Sequence, residues 1–409
     1  MAYIKEIEYF NCFVLKGSTQ YGGYDNYHIE ESRIKGGYNE PFVDYGVRAH
    51  ITDETYGKEI RPNAMIYSGI FNNKTGINNT NDFSIGENIT KAVDIQDGSI
   101  QKLYAEDTNL NIFQEEKVSR ALIDKDAIYT AEGNALTASG NVVIGQIVPY
   151  GTNYGIGKNP ESFAVFAGRK YFVDKPKGAV LRLSRDGITE ISNYGMSSYF
   201  RDLITSADKV IGMWDMHNKD YVLSIQGTNI TDETIAFDEY VTGWTSRFSY
   251  IPQAGGSLDA KFYTFGPTCD LYKHYSDTGY NNFYGTPYDS EVTIIFNQNA
   301  SVNKSFVTVN YEGTPNWRVE TIATDSDVAL PIGMYSINNE DLIISGFQKM
   351  DNKYFSNIFN NSPEKAGEVV FQDDISGIKG FYTKLTVKTS DNNYNELFAV
   401  STNYNINTY

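Results

Sequence analysis

Alternation is the feature that most limits how this chain can fold. In Tyr221-Val222-Leu223-Ser224-Ile225, the Tyr, Leu and Ile share one face of an extended backbone. From Phe306 to Tyr311, Val307, Val309 and Tyr311 alternate with Thr308 and Asn310; Trp317, Val319 and Thr321 then alternate with Arg318 and Glu320. A period of two sends successive side chains to opposite faces, as half-buried strands require. The runs are short, and Asp97-Gly98, Pro176, Lys177-Gly178 and Asp186-Gly187 punctuate them with turn-forming residues. Such a pattern predicts an all-β chain of short antiparallel strands.

One section reads as two consecutive hairpins. Lys170 to Asp174 is a strand, Lys175 to Gly178 turns, Ala179 to Leu183 returns, and Asp186-Gly187 turns again into Ile188 to Ile191. Strands running up and down in sequence build a propeller blade or a meander. Comparable units are expected over Ile100 to Leu122, over Val210 to Ile225 with Asp215 to Asp220 as the turn, and from Trp244 through Phe262–Phe265 to Leu271-Tyr272. One helix is predicted, Ser197 to Ser206, with Tyr199/Leu203 and Phe200/Ile204 spaced i,i+4. The resulting division is an N-terminal β or extended segment over 1–60, a propeller-like β body over 61–335 and a C-terminal β-domain over 336–409.

Composition narrows function. With 41% hydrophobic and 14% aromatic residues among 409, the chain can bury a sizeable core. A net charge of −17, with no long Lys/Arg run, disfavours a groove that grips nucleic acid. Cys12 and Cys269, far apart, make neither a disulfide framework nor a CxxC metal site. Met1 to Glu6 lacks a signal-peptide pattern, and no apolar run reaches membrane-spanning length, so arrival outside a cell by a signal peptide is not expected.

Candidate catalytic motifs fail on spacing. Gly155-Ile156-Gly157-Lys158-Asn159 ends like a phosphate loop, but Thr152 stands where the first Gly belongs and Asn159 where magnesium needs Ser or Thr. Ser184 to Thr189 resembles the turn motif of sialidase propellers, yet its Asp186 and Gly187 are adjacent, as in a plain hairpin. His28, His50, His217 and His274 are isolated. Glu115-Glu116 and Asp373-Asp374 point to opposite faces if extended, so neither pair can flank one bond. Asp124-Lys125-Asp126 and Asp325-Ser326-Asp327 open like calcium loops without the Gly and closing Glu. The sequence therefore offers no catalytic, cofactor-binding or metal-binding residues.

Several stretches together resemble the tail nozzle or stabilisation proteins of short-tailed phages, most of all the muzzle proteins of crAss-like phages. They are Asp97 to Tyr104, Ile112 to Val118, Tyr154 to Gly157, Asn159 to Phe163, Arg169 to Asp174, Gly178 to Arg182, Asp186 to Ile188, Gly243 to Arg247, Leu271 to His274 and Ser376 to Gly380. The resemblance spans roughly residues 25–400, and the ensemble carries it. Chains of that family are commonly much longer, so a fragment, a processed product or one part of a split subunit is an open expectation.

The resemblance implies a non-enzymatic, structural virion protein of the phage tail: a propeller-like body repeated in a homo-oligomeric ring about the tail axis, forming the conduit for genome ejection. Its implied partners are further copies of itself, the portal or adaptor ring proteins, the tail fibres, and DNA that passes without sequence-specific binding. Assembly in the bacterial host cytoplasm is implied too. Tyr154 to Gly157 would be a tight inter-blade loop and Trp244 a packing anchor whose indole N–H seeks a partner. The alternative is a glycan-binding or glycan-degrading β-protein of the tail used in host recognition, suggested by the abundance of Tyr and Trp.

Overall fold

The computed structural model describes residues 61–69, 71, 74–76, 78, 80, 83–84, 90–106, 109–129, 135–333, 346–362 and 377–407, together with the strands 3–5, 14–18, 26–30 and 34–35. The architecture is all-β, and it divides into two compact units, Met1–Pro267 and Thr268–Tyr409. Of the segment expected over 1–60, only those four strands lie among the described residues. Tyr3–Lys5, Val14–Ser18 and Asn26–Glu30 form one antiparallel sheet, and Ile34–Lys35 pairs in parallel with Phe83–Ser84.

The first unit is dominated by three consecutive four-stranded antiparallel meanders. Ile100–Glu106, Asn109–Gln114, Val118–Tyr129 and Ala135–Pro149 make the first sheet. Ala164–Phe166, Arg169–Asp174, Ala179–Ser184 and Gly187–Glu190 make the second. Lys209–Asp215, Asp220–Gln226, Glu233–Asp238 and Gly243–Phe248 make the third. A hairpin of Ala254–Leu258 and Lys261–Phe265 follows. The fourth expected unit is thus split. Gly243–Phe248 closes the third sheet by pairing back on Glu233–Asp238, because its Trp244 lies opposite Phe237.

The second sheet is buried on both faces, which explains why its strands read as near-continuous apolar runs rather than clean alternations. Phe172 and Leu181 point into a cluster with Phe113, Val118 and Ile156. Tyr171, Val173 and Val180 point the other way, into a cluster with Trp214, Tyr221, Leu223 and Phe237 of the third sheet. The helix Ser197–Thr205 joins the second and third sheets and lays Phe200 and Ile204 into that second cluster, with Tyr199 and Leu203 beside them. Its i,i+4 spacing is what places both pairs on one stripe.

The second unit is a sandwich. Thr383–Thr389 runs between Ser290–Phe296 and Arg318–Thr324 in one sheet. The other centres on Lys304–Gly313, which pairs with Lys353–Asn357 and Ile378–Gly380 on one side and Leu397–Ile406 on the other; Gln348–Met350 edges Lys353–Asn357. Phe306, Val309 and Tyr311 of this sheet share one buried cluster with Val319, Ile322, Leu385 and Val387 of the first. The division expected at 335/336 therefore falls inside this unit. Lys304–Gly313 hydrogen-bonds to Leu397–Ile406, so residues on both sides of 335/336 build the same sheet.

Phe172 is fully buried and meets Phe113 edge-on, with ring centroids 5.2 Å apart. Phe172→Ala removes the ring from a closed site and is expected to cost about 3–5 kcal/mol in denaturant unfolding. A loss below about 1 kcal/mol would show that the first two sheets do not depend on this contact.

Candidate functional site

The chemistry of the first unit is concentrated where successive sheets meet. After the first sheet, the chain crosses the turn that follows Gln114. The Ile156 N–H donates to the Gln114 carbonyl and the Gly157 N–H to the Glu115 carbonyl, both at 3.0 Å. At Gly155 the approach is so close that a Cβ would lie 2.2 Å from the Glu115 carbonyl oxygen. Only glycine fits there. The Gly155 N–H donates to Asp174 Oδ2 at 3.1 Å, and Asp174, 1% exposed, also accepts from the Lys177 N–H at 3.2 Å and pairs with its ammonium at 3.3 Å. Burial raises the Asp174 pKa, and these donors oppose the shift by favouring the carboxylate. Beneath the same crossing, Glu115 accepts from the Ser99 hydroxyl at 2.5 Å and its N–H at 3.2 Å, which holds its pKa below the ordinary value. Lys170, 4% exposed on the second sheet, pairs with Glu106 of the first.

A second lock joins the second and third sheets. Glu239 accepts from the Tyr171 hydroxyl at 2.6 Å and from Arg182 Nη1 at 2.7 Å, and pairs with Arg169 at 3.3 Å. Burial, then this hydrogen bond, raises the Tyr171 pKa. Tyr171 stacks on Tyr221 at 4.8 Å, and the Tyr221 hydroxyl donates to the Ser162 carbonyl at 2.8 Å. Trp214 stacks on Phe166 at 4.3 Å. Trp244 packs against Phe200 at 4.4 Å, and its indole N–H donates to the Ile191 carbonyl at 3.1 Å.

At one end of the third sheet stands a row of three carboxylates. Asp215 lies directly opposite Asp220, and Asp220 opposite Asp238. Asp215 accepts from the His217 and Asn218 N–H groups, and Asp238 from those of Tyr240 and Val241. Asp220 is 6% exposed. Burial first, then the Asp238 and Asp215 charges, push its pKa up to about 7. Like charges directly opposite across strands destabilise the pairing.

The failed motifs take structural places. The Gly157–Asn159 turn borders a groove of about 540 Å³ whose Lys158 and Lys175 face Glu115 and Asp208, so neither sign dominates. The 156 and 157 N–H groups, which a phosphate loop would aim at its ligand, are taken by carbonyls. Asp325 and Asp327 accept the N–H groups of Phe381 and Lys379, clasping the Ile378–Gly380 strand. His217 is exposed in the Asp215–Asp220 turn. His274 lies near Tyr275, Phe283 and Tyr284, and burial lowers its pKa to about 4. The side chains of His28, His50, Asp124, Asp126, Asp373 and Asp374 lie outside the described residues. Among the described residues, no group of three or more His, Cys, Asp or Glu side chains is placed to hold a metal ion.

Residues 278–361 match the family model of the Crassvirus muzzle protein C-terminal domain. Over those residues the match supports the resemblance to crAss-like phage muzzle proteins. The match runs from the short hairpin before Ser290–Phe296 through the sandwich's central strand to Lys353–Asn357 and just beyond. It supports a structural protein of a phage tail. No curated protein matches the chain. Among solved structures, an exo-β-1,3-galactanase from Phanerochaete chrysosporium with β-1,3-galactotriose aligns over 83% of this chain and 100% of that one, at 9% identity. Its TM-score of 0.18 establishes no common fold.

The carboxylate row makes stability depend on pH. Asp220 titrates near 7 when folded and returns towards the ordinary 3.8 when unfolded. As pH rises through that window, the unfolded chain gives up a proton that the folded chain keeps, so stability falls and the deficit is complete above about 7. Asp220→Asn is expected to leave stability at pH 4 nearly unchanged and to raise it by on the order of 1–3 kcal/mol at pH 8. Denaturant unfolding at both pH values measures this, and an equal effect at both would contradict it.

Proposed function

We propose that this chain is a non-enzymatic subunit of a phage tail muzzle, repeated in a ring about the tail axis as the conduit through which the genome leaves. The carrying observation is the match of residues 278–361 to the Crassvirus muzzle protein C-terminal domain. The resemblance spread along the rest of the sequence agrees with it. Three meanders in succession, each four strands up and down, suit the blades of a propeller-like body. Interlocks such as Gly155–Asp174 and Tyr171–Glu239 suit a wall that must keep its shape under load. A net charge of −17 suits a channel along which DNA slides without adhering.

On this reading the chain is assembled in the bacterial host cytoplasm and resides in the virion tail. Its neighbours are copies of itself, the portal or adaptor ring above and the fibres below, with DNA passing through. Cryo-electron microscopy of purified virions tests it. The expected result is density for this chain in a ring around the axial channel. Density at a fibre tip would overturn the reading in favour of glycan recognition, and absence from the particle would overturn it outright.

A further inference from the structure

The distribution of charge along the sheet edges is uneven. Charged residues make up 21% of the chain. Among the described edge strands of seven or more residues, Ile100–Glu106, Lys209–Asp215, Ser290–Phe296 and Arg318–Thr324 each carry at least one. Two carry no Asp, Glu, Lys, Arg or His: Ala135–Pro149, 15 residues long, and Leu397–Ile406, 10 residues long. Both are edges, paired on one side only among the described strands; the register of Ala135–Pro149 with its neighbour shifts on either side of the Ile123–Ile144 pair. An edge strand presents a row of unpaired N–H and C=O groups, and chains that stay apart blunt such edges with charges, above all lysine.

Leu397–Ile406 is suited to accept another strand. From Ala399 to Asn403 it pairs in unbroken register with Thr308 to Glu312, and the register shifts fall only outside that stretch. Phe398 is 71% exposed and Ile406 52%. Two acidic copies of this chain repel over most of their surfaces, so contact is least opposed where both lack charge. A closed ring also needs two different surfaces on each copy, one for each neighbour. The two uncharged edges meet both conditions.

We propose that a second copy of this chain docks on Leu397–Ile406 by strand addition, supplying its own Ala135–Pro149 edge to continue the sheet. This rests on the reading of the chain as a ring subunit and names the contact that would close the ring. Each copy gives one edge to one neighbour and takes one edge from the other.

Lysine at exposed edge positions tests the proposal in the full-length chain. Asn403 and Asn405 are exposed on one edge and Gln146 on the other. Between copies of net charge −17, added lysines favour any association governed by overall charge. They oppose an association in which the edge is buried. Analytical ultracentrifugation across a concentration series is expected to show self-association of the wild-type chain, weakened on the order of 100-fold by Asn403→Lys with Asn405→Lys. Gln146→Lys should reproduce the loss. Thr278→Lys with Asn282→Lys, at exposed positions outside both edges, should not. Unchanged unfolding midpoints would show that the variants remain folded. Edge variants that associate like the wild type, or a wild-type chain that stays monomeric at every concentration, would overturn the proposal. In either case, ring density in the virion would leave the muzzle reading standing; loss of that density from the tail axis would remove both.

Discussion

At Gly155 the backbone lies against the Glu115 carbonyl more closely than any side chain allows, and the N–H of that same glycine is bound by a buried carboxylate. The geometry of the first unit depends on this crossing. It brings the chain out of the first sheet, seats Ile156 in the cluster around Phe113 and Phe172, and delivers Ala164–Phe166 to the start of the second sheet. A buried ionised carboxylate is tolerated only when donors surround it, and Asp174 has two backbone N–H groups and an ammonium. The same rule governs Glu239, with a tyrosine hydroxyl and two guanidinium groups. Each lock joins a specific pair of sheets, so the polar groups fix register and angle while the aromatic clusters supply most of the burial.

Much of this was legible in local sequence. The hairpins over residues 170–191 follow from Gly178 and Asp186-Gly187, because turn chemistry is local; Gly178 and Gly187 have φ of +63° and +103°. The helix expected at Ser197–Ser206 spans Ser197–Thr205. The resemblance implied a tight loop at Tyr154 to Gly157 and a packing anchor at Trp244; Gly155 makes the close approach, and the half-buried Trp244 has its indole N–H bonded.

What escaped the sequence was non-local. Pairing of Lys304–Gly313 with Leu397–Ile406 joins segments separated by most of the second unit, and neither strand announces its partner. Nor does the end of one sheet announce itself: Gly243–Phe248 looks like the start of a new unit and is the last strand of the third. Adjacent carboxylates such as Glu115-Glu116 are visible in sequence, but a strand sends them to opposite faces. The pairs that matter, Asp215 with Asp220 and Asp220 with Asp238, lie opposite one another across strands, and register alone brings them together. Nothing local marks the burial of Asp174 and Lys170 or the half-burial of Glu239, since the next sheet decides it.

The crossing at Gly155 ties the first two sheets into one cooperative body. Native-state hydrogen exchange of the Gly155, Ile156 and Gly157 amides, compared with those of Phe172 and Leu181, tests it directly. If the crossing is integral, all five exchange only through the same large opening, with matching free energies and matching denaturant dependence. Exchange of the three crossing amides through a smaller, local opening, while Phe172 and Leu181 stay protected, would contradict the account.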